Sequence, residues 1–126
     1  MKLHHAGFII DDIEKYETGL IFEEKVKEVV DPLQKSKLAL YKNFAGSYIE
    51  LIQPLTEDAF TSNFLQKNGN NFHHFCYEVT STGELEKIVK AKKLILVRGP
   101  VPAVLFDNRD VYFFYSRNKQ IVEFLL

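Results

Sequence analysis

Cysteine is nearly missing from this chain. A single one, Cys76, rules out an intrachain disulfide and suits a reducing cytoplasm. A surplus of charge is missing too. The 16 Lys and Arg residues stand against 17 Asp and Glu, for a formal charge of −1, which leaves no electrostatic footprint for nucleic acid. No apolar run approaches the roughly 20 residues needed to span a bilayer. The N-terminus enters a strand pattern at once, and Asp11-Asp12 cut its apolar run short, so no signal peptide is expected. No segment is of low complexity. What remains is an ordinary soluble composition, 46% hydrophobic over 126 residues, enough chain for one domain with a real core.

Against that background one feature stands out. All four histidines fall in two adjacent pairs, His4-His5 and His73-His74. Each pair sits in an apolar-rich run that reads as a strand. After each run come a short amphipathic helix, more strands, and a strand with one acid among apolar residues: Ile49-Glu50-Leu51-Ile52 in the first half, Ile121-Val122-Glu123-Phe124-Leu125 in the second. A repeat of half the chain length bears on the whole fold. Here it sets two histidines and two carboxylates at matching points of two halves.

In chain order, Leu3 to Ile10 reads as a strand, and Asp11 or Asp12 supplies the N-cap of a helix carrying Ile13, Tyr16 and Leu20. Gly19 helps to end that helix. Strands follow at Phe22 to Val30, Lys37 to Tyr41 and Tyr48 to Gln53, with Asp31-Pro32 and Ala45-Gly46-Ser47 as turns. Residues 55–71 form a linker with one or two helical turns around Phe60, Phe64 and Leu65, ended by Gly69-Asn70-Asn71. The second half repeats the order. Phe72 to Val79 is a strand, and Ser81 with Glu84 forms a capping box for a helix ending near Lys92-Lys93. Strands at Leu94 to Val97, Val111 to Tyr115 and Gln120 to Leu125 complete it, with Gly99-Pro100 and Pro102 cutting the first of these. Each half reads β-α-β-β-β. The expectation is one domain over 1–126, with modules of 1–54 and 72–126. Neither module is expected to fold alone, since about 60 residues with one apolar sheet face would be marginal.

Alternate side chains of a strand share a face. His5 and Gly7 therefore point one way and His4, Ala6 and Phe8 the other. His74 and Cys76 share a face, opposite His73, Phe75 and Tyr77. Glu50 and Glu123 each stand between apolar neighbours that point the opposite way. A carboxylate in so apolar a strand must face water, pair with a cation or bind a metal, because burying it alone is too costly. Two neutral imidazoles and two carboxylates converging from four strands make a mixed nitrogen and oxygen site for a divalent first-row ion. The competing reading makes each histidine a core residue and each glutamate a solvent-facing one. Parity leaves open which histidine of each pair binds.

His5-Ala6-Gly7, the phrase Tyr48-Ile49-Glu50-Leu51-Ile52-Gln53-Pro54-Leu55, the linker phrase Asn63-Phe64-Leu65-Gln66-Lys67-Asn68-Gly69 and the strand Phe72 to Val79 together resemble methylmalonyl-CoA epimerases. That family lies within the vicinal oxygen chelate superfamily, with glyoxalases, extradiol dioxygenases and bleomycin-resistance proteins. The resemblance runs over nearly the whole chain and is strongest from Tyr48 to Val79. It implies an α+β fold, with two βαβββ modules building a cupped eight-stranded mixed sheet around one metal. It also implies the ligands His5, Glu50, His74 and Glu123, and so chooses the second histidine of each pair. The implied ion is Co, Mn, Ni, Zn or Mg. The implied activity is a divalent-metal-dependent isomerase or lyase that removes a proton next to a carbonyl, with Glu123 or Glu50 as the catalytic carboxylate. The implied partners are a small-molecule substrate, an acyl-CoA or other carbonyl compound, and a second copy of the chain as a homodimer; nucleic acid and membrane are not expected.

Two departures from the pattern stand beside the match. Epimerases carry a glutamate followed by glutamine before the third strand, where this chain has Leu33-Gln34, with Asp31 two residues away. The glycine-rich phrase before the seventh strand is replaced by Val104-Leu105-Phe106-Asp107-Asn108-Arg109. The alternatives are a glyoxalase-type enzyme with the same ligands and a metal-free binding or resistance protein of the same fold. Cys76 reads as a buried structural thiol, His4 and His73 as structural residues, and Arg109 and Arg117 as candidate contacts for an anion.

Overall fold

The computed structural model describes residues 1–126. The elements in chain order are β1 (Lys2–Ile9), α1 (Ile13–Glu17), β2 (Glu24–Asp31), β3 (Ser36–Lys42), β4 (Tyr48–Pro54), α2 (Phe60–Asn68), β5 (Asn71–Glu78), α3 (Thr82–Lys92), β6 (Ile95–Ala103), a 3-10 turn (Val104–Phe106), β7 (Arg109–Tyr115) and β8 (Ile121–Leu125). The two β-α-β-β-β runs expected from the repeat are both present. All eight strands belong to one sheet in the order β2-β3-β4-β1-β5-β8-β7-β6. The sheet is mixed: β5 runs parallel to β8, whereas β2/β3, β3/β4, β6/β7 and β7/β8 are antiparallel.

Two compact units make up the chain, one of residues 6–73 and one of residues 1–5 with 74–126. In the first, β2, β3 and β4 form an antiparallel meander. The buried core is Ile10, Ile13, Ala39, Tyr41 and Leu51, with Phe8, Tyr16, Leu20, Phe22 and Ile49 packed on it. Helix α1 is only five residues long, and Asp12 is its N-cap, accepting from Lys15 N–H. Gln53 adds a second tie, its side-chain oxygen accepting from Ile13 N–H at 2.8 Å. The helix ends at Thr18 rather than through Gly19. Ile49 and Leu51 face this core, so parity turns Glu50 to the opposite side of β4.

In the second unit, α3 lies over a core of Val79, Leu85, Phe114 and Phe124, joined by Tyr77, Ile88, Val89, Leu94, Tyr112, Val122 and Leu126. Half of the capping box expected at its start is formed, with Ser81 Oγ accepting from Glu84 N–H. The Glu84 carboxylate takes its backbone bond from Thr80 N–H, one residue before the N-cap, at 3.0 Å. Tyr77, Val122, Phe124, Tyr112 and Phe114 all face α3. His74 and Cys76 on β5, Glu123 on β8 and Phe113 on β7 therefore share the other face.

The largest difference from the sequence expectation is β6. Prolines and Gly99 were expected to cut it at Val97, yet it continues to Ala103. It does so with register shifts between Leu96 and Arg98 and between Arg98 and Val101. β6 is last in the strand order, and a strand with one free side tolerates prolines that a central ladder would not. Gly99 has φ of +120°, and a Cβ there would lie 2.6 Å from the Val111 carbonyl oxygen. Only glycine lets β6 approach β7 so closely. β7 begins at Arg109, two residues before the strand expected from Val111.

Candidate metal centre

The site is built from three strands of the unit formed by residues 1–5 and 74–126. β1 alternates between buried and partly open positions, with His5, Gly7 and Ile9 buried. β5 buries His74 and Cys76. In the parallel register Cys76 lies beside Glu123, so His74 is one step further along the same face. The outcome is convergence. His5 Nε2 and His74 Nε2 are 3.2 Å apart. The Glu123 carboxylate turns one oxygen to each ring, Oε1 at 3.7 Å from His5 Nε2 and Oε2 at 3.3 Å from His74 Nε2. The exposures of His5, His74 and Glu123 are 0%, 1% and 4%.

Burial decides the protonation of His5. It pushes the His5 pKa down to about 3, because an apolar surrounding disfavours the imidazolium. His5 is therefore a neutral ring with one lone pair to give, as a metal ligand must be. Bonds of about 2.0–2.2 Å to an ion place neighbouring ligand atoms about 2.8–3.6 Å apart for angles between octahedral and tetrahedral. The observed separations of 3.2 and 3.3 Å fall inside that spacing and the third, 3.7 Å, just outside it. The donor set, two imidazole nitrogens and a carboxylate, suits a divalent first-row ion.

Of the four ligands implied by the resemblance, His5, His74 and Glu123 come together in one unit. Glu50 lies in the other unit, on β4, 5% exposed and opposite Leu40 of β3. His73 turns away from the face of its neighbour His74 and sets its ring edge-on to Phe64, with centroids 4.8 Å apart. Burial takes its pKa down to about 4, against the opposing pull of the Glu50 charge.

Other sequence candidates are accounted for by local bonds. Leu33 sits in the β2–β3 turn, 57% exposed. Asp31 is buried, and its carboxylate closes that turn. Oδ1 accepts from Leu33 N–H at 2.9 Å, and Oδ2 accepts from the Gln34 side chain at 3.0 Å. Arg109 pairs with Glu78 at 2.7 Å, and its Nε donates to the Leu126 carbonyl at 3.1 Å. Its task in this arrangement is to tie down the C-terminal strand. One residue next to the site, Phe106, escaped the sequence reading, and His4 was expected there only as a structural residue. Phe106 stacks on His5, centroids 5.3 Å apart at 30°. His4 Nδ1 lies 2.8 Å from His5 Nδ1. The only sequence signal for Phe106 was its place in the phrase that replaces the expected glycine-rich one.

Fold and site together define the class of protein. The chain belongs to the Glyoxalase/Bleomycin resistance protein/Dioxygenase superfamily, whose family model matches residues 4–113. Within it, the chain is 30% identical to the mitochondrial methylmalonyl-CoA epimerase of Homo sapiens over 96 residues, 74% of this chain and 54% of that protein. It thus spans about half the length of the curated relatives it matches. Among solved structures, a hypothetical protein of Bacillus halodurans superposes with a TM-score of 0.84 at 28% identity, over 98% of this chain and 92% of that one. A Streptomyces coelicolor methylmalonyl-CoA epimerase variant, in complex with 2-nitronate-propionyl-CoA, gives 0.78 at 20% identity, over 99% and 96%. At that identity the likeness speaks to the fold alone, and it confirms the glyoxalase-like class. No helix is long and apolar enough to cross a membrane.

Proposed function

We propose that this protein is a divalent-metal-dependent isomerase or lyase of the methylmalonyl-CoA epimerase type, with His5, Glu50, His74 and Glu123 as ligands. The observation that carries the reading is the convergence of His5 Nε2, His74 Nε2 and the Glu123 carboxylate in a dry setting. An ion held there supplies Lewis-acid polarisation of a carbonyl oxygen, which makes the neighbouring C–H acidic. His5 and His74 offer neutral nitrogens. Glu123 contributes the negative charge that offsets the cation. A carboxylate oxygen of Glu123 or Glu50 would take the proton only on loosening from the ion. The substrate class is an acyl-CoA or another compound with a carbonyl beside an acidic carbon. A reducing compartment suits the buried free thiol of Cys76.

Leu33, at the place of the usual epimerase base, and Asp31, engaged in its turn, argue for a substrate other than methylmalonyl-CoA. The test has two arms. Elemental analysis and titration with Mn²⁺ and Co²⁺ should give one ion per chain, lost in His74→Ala. Metal-loaded protein should then exchange the α-hydrogen of an acyl-CoA with solvent deuterium, with methylmalonyl-CoA slower than a better substrate. A parent chain that binds no divalent ion refutes the reading. Rapid exchange on methylmalonyl-CoA refutes the assignment of Leu33.

A further inference from the structure

We propose that His4 is a positioning residue for the metal centre: its Nδ1 accepts the N–H of His5 Nδ1 and so fixes His5 in the tautomer whose bare Nε2 faces His74 and Glu123. The inference rests on the metal-site reading above and adds a residue to it. A neutral imidazole has one N–H and one lone pair. If Nε2 is to bind an ion, Nδ1 must carry the proton, and that N–H needs an acceptor because His5 is fully buried. The atom placed to accept it is His4 Nδ1, at 2.8 Å.

The arrangement is unusual for a strand, where consecutive side chains point to opposite faces. The His4 ring turns back toward its neighbour, giving an edge contact with centroids 5.1 Å apart at 81°. Phe106 braces both rings, edge-on to His4 at 4.9 Å and stacked on His5 at 5.3 Å. Ligating histidines depend on such a partner behind them, and its loss costs roughly ten- to a hundredfold in metal affinity. His4, His5 and Cys76 also each bring one ligand atom within 4.8 Å of the others, which defines the competing arrangement: an ion held by these three residues.

The experiment compares Mn²⁺ and Co²⁺ affinity in the parent, His4→Phe and His4→Asn, using the full chain. Phenylalanine keeps the ring against Phe106 without an acceptor, and asparagine places an amide oxygen near the former Nδ1. The expected result is about a tenfold or greater loss in His4→Phe and recovery to within about threefold of the parent in His4→Asn. Long-range ¹H–¹⁵N spectra of the Zn²⁺-loaded parent should show His5 protonated at Nδ1. Equal affinity in His4→Phe and the parent, or no recovery in His4→Asn, overturns the inference while leaving the metal centre standing. A thiolate absorption band in the Co²⁺ form, lost in Cys76→Ser, also overturns it, because the ion would then occupy the Cys76 side. A folded parent that binds neither ion removes the metal-centre reading and this inference with it. Should both His4 variants unfold, the ¹⁵N spectrum decides: a proton on His5 Nε2 in the loaded protein sinks the proposal.

Discussion

Glu123→Met should stabilise the metal-free protein and abolish its stabilisation by metal. Glu123 is 4% exposed, and its cross-strand neighbours are Cys76 and Phe113. Methionine is unbranched and close to glutamate in length, so it fills the same space. Without an ion, this acid is buried and faces two imidazoles, one of which burial holds neutral. Replacing buried ionic groups by apolar ones of similar volume is neutral or stabilising by about 1–4 kcal/mol. The loss of the acid leaves His5 Nε2 and His74 Nε2 still facing each other at 3.2 Å, so each ring nitrogen keeps a neighbour able to bond it. With ion at a hundred times its Kd, binding adds about 2.7 kcal/mol to the parent. Loss of a ligand removes most of that gain from the variant. The stability order of the two proteins should therefore narrow or reverse between chelator and Mn²⁺. Urea unfolding followed by circular dichroism, in EDTA and in saturating Mn²⁺, measures both differences. A variant less stable than the parent by more than about 1 kcal/mol in EDTA would make Glu123 a structural hydrogen-bond partner. An equal gain from Mn²⁺ in both proteins would remove Glu123 from the site.

Three further outcomes are expected. His74→Ala should lose divalent-ion binding in a calorimetric titration, whereas His73→Ala should lose about 1–2 kcal/mol of stability from its packing on Phe64 and still bind; the reverse pattern would mean that the wrong histidine carries the ion. Gly99→Ala should cost more than about 2 kcal/mol in urea unfolding, because its Cβ would lie 2.6 Å from Val111 O and 2.9 Å from Tyr112 Cα, both backbone. The Glu84 carboxyl, bonded by the Thr80 hydroxyl, then by the Thr80 N–H and the N-terminal ammonium, has its pKa lowered from 4.5 to about 2. A depressed acid stabilises the fold above its unfolded pKa and loses that effect as pH falls through the folded value, so thermal midpoints should fall from about pH 4.5 toward pH 2, less steeply in Glu84→Gln.

The sequence by itself determined the elements and the facing of the site. Period-two alternation places His5, His74 and Glu123 opposite the residues that pack on helices, because a strand leaves its side chains no other choice. Ser81 and Glu84 announced the start of α3, since a capping box acts within one helical turn. The choice of His5 and His74 over their neighbours came from the family resemblance, parity alone having left it open. Only the tertiary structure decided what depends on distant atoms. β6 runs through Gly99, Pro100 and Pro102 because its neighbour is β7 and its other side has no strand. Phe106 reaches His5 from a 3-10 turn about a hundred residues along the chain, and no local pattern encodes that contact. The His4–His5 bond joins adjacent residues, yet strand periodicity argues against it. A ring packed from elsewhere in the fold braces the two histidines there, and this is information that one-dimensional order does not hold.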